Sequence, residues 1–322
     1  MRIIITGANG MLGSDLCEIL RARKKFEVFP FYGDVGAIHE SPKTSDAMPA
    51  GRQERRVIDI TDRSMIEAGI TEIKPDIIIH TAAYTDVDGC ETNREMAYQV
   101  NALGAQNVAL AAKKSGAFLI YISTDYVFDG GKKGPYLEND APNPMSIYGK
   151  SKLDGEKFIQ NILSDWAIIR ISWLFGLNGK NFVKSIIKQI HDSRFTIHDS
   201  RILKVVDDQI GSPTYTGDLS KGISFFLENG CKTGIYHLTN QGFCSWFEFA
   251  KKIVELTGNA GKIMVEPVNS SQFVRPAKRP RNSVLENYVW KSKGYPLLRN
   301  WEEALEEYLV ESSVIPAKAG IQ

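Results

Sequence analysis

Tyr148 and Lys152 stand four positions apart in the stretch Tyr148-Gly149-Lys150-Ser151-Lys152. On a helix such a pair shares one face, with Cβ atoms about 5–6 Å apart. A phenol alone titrates near pH ~10 and is a poor acid–base group at neutrality. An ammonium beside it favours the phenolate and lowers that value. The pair suits a group that passes a proton to or from an alcohol or ketone oxygen. Tyr-x-x-x-Lys alone is weak, because most such pairs are exposed helix residues. Its meaning depends on what the chain sets out upstream.

The chain opens on Arg2-Ile3-Ile4-Ile5-Thr6, a β-rich apolar run that reads as a buried parallel strand. It passes directly into Gly7-Ala8-Asn9-Gly10-Met11-Leu12-Gly13, and Leu12, Leu16, Ile19 and Leu20 then follow at helical spacing. The unit is strand, glycine turn, helix. Gly7 permits the tight turn, Gly10 lets a pyrophosphate approach the backbone, and Gly13 lets helix and strand pack closely. The free N–H groups of the helix N-terminus face the phosphates. The Gly-x-x-Gly-x-x-Gly spacing is one residue off the common dinucleotide fingerprint.

The elements that follow fit an α/β chain with a Rossmann-type, doubly wound parallel sheet. Residues 25–32 read as a second strand, with Asp34 a candidate partner for the adenosine ribose. Residues 33–56 form a long polar insertion carrying Lys43, Arg52, Arg55 and Arg56, read as a solvated loop in preference to a 2′-phosphate site. Residues 57–60 make a third strand, whose Asp59 is placed to meet an adenine, and Thr61 or Asp62 caps the next helix. Residues 75–80 make a fourth strand ending in His80, a packed strand residue, and exit into the small residues Thr81-Ala82-Ala83. One long helix spans residues 95–115, with Asn101 inside it bonding backbone or an active-site water. Residues 118–122 make the fifth strand, which delivers Ser123-Thr124-Asp125. Parallel sheets bind ligands at the carboxyl ends of their strands, so the Thr124 hydroxyl is a candidate for bonding a substrate oxygen.

The second half alternates strands at 166–170, 203–206 and 234–239 with helices at 181–192, 215–228 and 246–257, and a last helix capped by Asn300. The expected organisation is a dinucleotide-binding domain from residues 1–175 and 205–240. A smaller substrate domain comes from 176–204 and 241–311, and the tail 312–322 lacks periodicity and reads as disordered.

Composition bounds the rest. The 322 residues are 43% hydrophobic, enough for a sizeable core, and 39 basic against 38 acidic residues leave a net charge of +1. That balance gives no general attraction to nucleic acid or to an anionic membrane. Four cysteines, Cys17, Cys90, Cys231 and Cys244, follow neither a disulfide nor a zinc spacing and read as reduced thiols of a cytoplasmic protein. The chain shows no signal peptide and no apolar run long enough to span a bilayer.

Taken together, the glycine turn, the hydroxyl residue after the fifth strand and Tyr-x-x-x-Lys resemble the extended short-chain dehydrogenase/reductase superfamily. The finer resemblance is to the dTDP-4-dehydrorhamnose reductase family. It rests on segments 82–88, 123–128, 148–152, 170–173, 209–214 and 276–283, in the family's order across roughly residues 1–309. Ser123-Thr124-Asp125-Tyr126-Val127-Phe128 and Arg279-Pro280-Arg281-Asn282-Ser283 are its most specific stretches. The resemblance implies reduction of a 4-keto dTDP-sugar by NADPH or NADH. Tyr148 would be the proton donor. Lys152 would activate it and bond the nicotinamide ribose, and Thr124 would hold the C4 oxygen. Asp125 and Trp173 would line the sugar site. Gly10, Met11 and Leu12 would follow the pyrophosphate, Asp59 and Ile60 the adenine, and Ala83, Tyr84 and Thr85 the cofactor. Lys278, Arg279 and Arg281 are candidates for the substrate diphosphate, with Arg279 favoured.

The second-strand end and the 33–56 insertion depart from the family pattern and leave the choice of dinucleotide open. Members of the family can carry Mg2+ between subunits on glutamates. No such ligands are identifiable here, and no metal residue is assigned. A homodimer is the candidate assembly, being common in the superfamily. Two other readings stand beside the reductase. One is a nucleotide-sugar dehydratase or epimerase, disfavoured because Tyr126 and not an acid follows Asp125. The other is a non-catalytic, cofactor-binding regulatory subunit.

Overall fold

The computed structural model describes residues 1–33, 56–191 and 201–315. Asp34, Lys43, Arg52 and Arg55 lie outside the described residues. Among those described, the main sheet has seven parallel strands. Their spatial order is Gly234–His237, Trp166–Ile171, Phe118–Thr124, Ile77–His80, Arg2–Thr6, Glu27–Tyr32 and Arg56–Val57. The chain starts in an inner strand, runs to one edge, then returns and winds to the other. That reversal opens a crevice beside the carboxyl end of the first strand.

The isoleucine runs explain why the sheet is covered on both faces. Successive strand side chains point to opposite sides. Ile3, Ile5, Ile79 and Ile120 join one core with Leu12, Leu16 and Leu20 of the helix Met11–Arg21 and with Leu219 and Ile223 of the helix Thr216–Glu228. Ile4, Ile78, Leu119 and Tyr121 join the opposite core. There they meet the helices Arg63–Ile73, Ala105–Ser115 and Ile147–Ile162.

A third core gathers residues from the second half. It packs the helices Phe182–His191, Trp246–Leu256 and Trp301–Glu311 around the parallel strand pair Arg201–Val206 and Ile263–Val268. Val314 and Ile315 pack against this core. The chain therefore stays on the body through Ile315, further than the expected loss of order after residue 311.

Two elements differ from expectation, each for a local reason. The third strand is only Arg56–Val57. Asp59 Oδ1 turns back to accept from the Thr61 backbone N–H and hydroxyl, both at 2.8 Å. That Asx-type turn ends the strand, and Asp62 then caps the next helix. The single helix expected over 95–115 is interrupted by a π-helical segment, Gln99–Gly104, between Arg94–Tyr98 and Ala105–Ser115. The cause sits at its centre. Asn101 accepts from the Tyr84 N–H at 2.8 Å and donates to the Tyr84 carbonyl at 3.1 Å. It also reaches the Ser151 hydroxyl at 3.1 Å. Such π insertions are frequent at functional sites.

Candidate active site

The site lies where the parallel strands end. The first strand feeds the turn at Gly7, whose φ is +69° and where a Cβ would come within 2.7 Å of the Ala82 backbone. Gly13 is tighter still, since a Cβ there would stand 2.2 Å from the Gly7 carbonyl oxygen. Glycine is thus required at both positions for backbone to meet backbone. The helix Met11–Arg21 begins at Gly10 with no side-chain cap. Its first N–H groups are open to an anion. This cradle fits the pyrophosphate of a dinucleotide.

Tyr148 and Lys152 are carried on the helix Ile147–Ile162, whose N-terminus is capped by Ser146 accepting from the Gly149 N–H at 3.1 Å. That helix is held to the sheet by a buried ion pair. Arg170 donates to Glu156 at 3.0 and 2.7 Å, and the Ser123 hydroxyl donates to the same carboxylate at 2.5 Å. Glu156 lies four residues after Lys152, so the anchor and the pair share a helix face. Gly149 and Gly155 allow the helix to approach closely. A Cβ at Gly149 would meet the Tyr126 carbonyl oxygen at 2.2 Å, and one at Gly155 the Asn101 carbonyl oxygen at 2.6 Å.

Tyr148 is half-buried and hydrogen-bonded with Thr124. The Thr124 hydroxyl donates to Asp125 Oδ1 at 3.0 Å, and the Ser172 hydroxyl donates to Oδ2 at 2.9 Å. The four side chains form one polar chain at the carboxyl ends of the strands Phe118–Thr124 and Trp166–Ile171. Burial pushes the Asp125 carboxyl up to about 6, against the opposing hydrogen bonds of Ser283, Ser172 and Thr124. Lys152 is 2% exposed. Its Nζ donates to the Ile122 carbonyl at 2.7 Å and lies 4.0 Å from the centroid of the Tyr121 ring. Burial draws its pKa down to about 7, with Glu156 opposing. Below this, His80 stacks on Tyr121 and bonds Thr6 Oγ1 through Nδ1 at 2.6 Å, a packed strand residue.

The phenol departs from the simplest expectation. Its pKa is raised, because loss of solvent outweighs the Thr124 hydrogen bond. Lys152 is spent on the Ile122 carbonyl and the Tyr121 ring, and does not depress it in this geometry.

A cavity of about 540 Å³ joins these parts. It brings together Gly7, Gly10, Met11, Leu12, Gly13, Ala83, Thr85, Thr124, Asp125, Tyr148, Lys152 and Trp173. Asp59, Ile60, Tyr84 and Arg279 are not in its lining. Asp59 is turned to Thr61. Ile60 is 2% exposed and packs into the core, and the Tyr84 backbone is held by Asn101. Arg279 forms a two-pronged pair with Asp88 at 3.1 and 2.9 Å and also caps the Ala277 carbonyl at 3.0 Å. Lys278 and Arg281 are exposed and also outside the cavity.

Sequence reasoning did not single out Lys180 or Trp246 for this wall. Trp246 opens the helix Trp246–Leu256 behind a capping box of Ser245 and Glu248. It lies flat on Trp173, ring centroids 3.4 Å apart and planes 5° apart. Trp173 itself has a φ of +45°, a strained value for an indole residue. Gly211 makes room for that ring, since a Cβ there would fall 2.3 Å from it. The capping box was a readable signal for a fixed tryptophan, whereas nothing around Lys180 marked it out.

Among the described residues, no group of three or more His, Cys, Asp or Glu side chains stands ready to hold a metal ion. The four cysteines are free thiols, three of them buried. No described helix is long and apolar enough to cross a membrane.

Comparison with known proteins places the chain in a family. The family model for the RmlD substrate binding domain matches residues 1–314. The chain is 36% identical to the Bacillus subtilis spore coat polysaccharide biosynthesis protein SpsK, across 97% of this chain and 98% of that one. It is 36% identical to the dTDP-4-dehydrorhamnose reductase of Streptomyces griseus, across 95% and 92%. Among solved structures, the dTDP-4-dehydrorhamnose reductase of Bacillus anthracis in complex with NADP superposes with a TM-score of 0.83 at 40% identity, covering 96% of this chain and 99% of that one. A glycine cradle, a Tyr–Thr–Lys cluster on one cavity and similarity along almost the whole length lead to one conclusion: the chain belongs to the dTDP-4-dehydrorhamnose reductase family.

Proposed function

We propose that this enzyme reduces the C4 ketone of dTDP-4-dehydro-L-rhamnose to dTDP-L-rhamnose, the last step of dTDP-rhamnose synthesis, at the expense of NADPH or NADH. The observation that carries the reading is the convergence of Tyr148, Thr124 and Lys152 on the cavity that the glycine turn also lines. When bound, the nicotinamide dinucleotide supplies the hydride. Gly7, Gly10, Met11, Leu12 and Gly13 would hold its pyrophosphate, and Ala83, Thr85 and Lys152 would lie along the rest.

The chain's own residues manage the oxygen and its proton. Tyr148 is the proton donor, and its raised pKa keeps the phenol protonated at neutral pH. Thr124, tied to Asp125, is placed to hydrogen-bond the same substrate oxygen as negative charge develops on it. Lys152, near half-charged at neutrality, gains full charge when an anion or a developing tyrosinate stands nearby. Asp125 fixes the Thr124 hydroxyl. The indole wall of Trp173 and Trp246 excludes water from one side and offers an apolar face to a 6-deoxy sugar. Arg279, locked to Asp88, is read here as a brace between the 276–283 segment and the 81–88 loop, and Asp59 and Ile60 are kept as adenine contacts. The division into a dinucleotide domain and a substrate domain, and a cytoplasmic site of action, belong to the same reading.

The test is turnover. Purified enzyme should oxidise NADPH or NADH on addition of dTDP-4-dehydro-L-rhamnose and release dTDP-L-rhamnose. Running both dinucleotides sets the preference. Binding of dinucleotide without any turnover of this sugar would shift the reading to another 4-keto sugar nucleotide or to a regulatory subunit.

A further inference from the structure

We infer that Lys180 is a diphosphate-binding residue of the cavity, the cation that meets the bridging phosphates of a bound nucleotide. This rests on the proposed function in that both its substrates are diphosphate diesters. Among the described residues, Asp125, Lys152 and Lys180 are the charged side chains of the lining. Lys152 is buried and committed to the Ile122 carbonyl. Lys180 is exposed, and among the described residues no carboxylate stands within ion-pair distance of it. The arginine that the sequence favours for this task, Arg279, is paired with Asp88 and does not itself line the cavity, and Arg275 leans on the same carboxylate at 3.3 Å.

The loop that carries Lys180 is braced and close to the anion cradle. A Cβ at Gly179 would lie 3.7 Å from Met11, the first residue of the glycine-turn helix. Asn178 donates to Asp15 of that helix at 3.3 Å. Asn181 donates to the Gly176 carbonyl at 2.9 Å, and Lys184 donates to the Leu177 and Gly179 carbonyls at 2.6 and 3.0 Å. On its other side, Phe182 packs on Trp246 at a centroid distance of 4.6 Å. The loop's amides are thus used to fix its own shape, and the Lys180 ammonium is left for a ligand, between the glycine cradle and the indole wall. A flexible point charge of this kind suits phosphate.

Calorimetric titration of Lys180→Gln and Lys180→Arg with NADP+ and, separately, with dTDP decides the matter without turnover. Thymidine and adenosine serve as probes without a diphosphate. Lys180→Gln should weaken NADP+ or dTDP about tenfold, a loss of one charge-assisted contact. It should flatten the salt dependence of that ligand and leave the nucleosides unchanged, and Lys180→Arg should retain most of the affinity. The ligand that weakens identifies which diphosphate Lys180 serves. Unchanged binding of both diphosphates, or equal weakening of the nucleosides, overturns the inference. An enzyme that binds NADP+ through Lys180 but leaves the keto sugar untouched would refute the proposed function and not this assignment.

Discussion

Replacing Tyr148 by Phe removes one oxygen from the cavity and little else. The ring is half-buried and sits edge-on to Tyr126 with centroids 5.6 Å apart, contacts that Phe keeps. The lost hydrogen bond is the one with Thr124, worth about 1 kcal/mol net. Thr124 keeps its bond to Asp125 at 3.0 Å and still accepts from the Tyr126 N–H at 3.1 Å, so no buried polar atom is orphaned. Stability should therefore change by less than about 1 kcal/mol in urea unfolding, and NADP+ affinity should hold. The chemistry should not survive. A positioned general acid contributes about 10²–10⁴ in rate, which is ~3–5 kcal/mol of barrier. The assay follows loss of reduced nicotinamide absorbance with saturating dTDP-4-dehydro-L-rhamnose. The expected result is a fall in kcat of that size with KM for the sugar within a few-fold. A variant that keeps kcat within about threefold, with wild-type binding, would refute Tyr148 as the proton donor, because no other feature of the site predicts so small an effect.

Three further outcomes follow from the geometry. Gly13→Ala should abolish measurable dinucleotide binding and lower stability, since its Cβ would fall 2.2 Å from the Gly7 carbonyl oxygen and neither backbone can give way; unchanged NADP+ affinity would contradict this. Lys152→Met should be inactive yet more stable than wild type near pH 7, because burial lowers the lysine pKa from 10.5 to about 7. The unfolded chain then binds the extra proton between those values, so wild-type stability climbs with pH across that window and the variant's advantage shrinks toward pH 10.5; urea midpoints for both proteins across the window read this directly. On the acid side, His80 and His237 are buried neutral with pKa values near 3 against an ordinary 6.5, so stability is full above about 6.5 and falls as pH drops toward 3. Asp125, raised to about 6, opposes this between 3.8 and 6, and burial raises Asp15 and Glu138 in the same sense by less, so the two histidines, each shifted further, leave a net loss at about pH 4.5. A urea midpoint at that pH equal to the neutral one would show that the histidines are not buried neutral.

Much of this molecule is written in local pattern. The three consecutive isoleucines of the first strand demand burial on both faces, which requires helices on both sides of a parallel sheet. Gly13 is fixed by its contact with Gly7, six residues earlier, so that part of the cradle is readable from spacing, whereas Gly7 is also pressed by the distant Ala82 backbone. Tyr148 and Lys152 share a helix face because four residues make about one turn. Asn300 and Asp62 announce their helices by the chemistry of the cap.

What the tertiary structure decided are the properties that depend on distant neighbours. Whether Lys152 charges Tyr148 turns on the Ile122 carbonyl and the Tyr121 ring, some thirty residues away in sequence. Asp88 pairs with Arg279 across 191 positions, which no count of basic residues foretells. Asn101 broke a helix that looked continuous because its amide had a better use at Tyr84. Trp246 and Lys180 reached the wall only because separate pieces of the second half fold together beside the glycine turn. Periodicity and turn chemistry are short-range and survive in the string of letters. Desolvation and the competition of one charged partner against another are set by the packed state, where a buried group keeps only the partners the fold has left it.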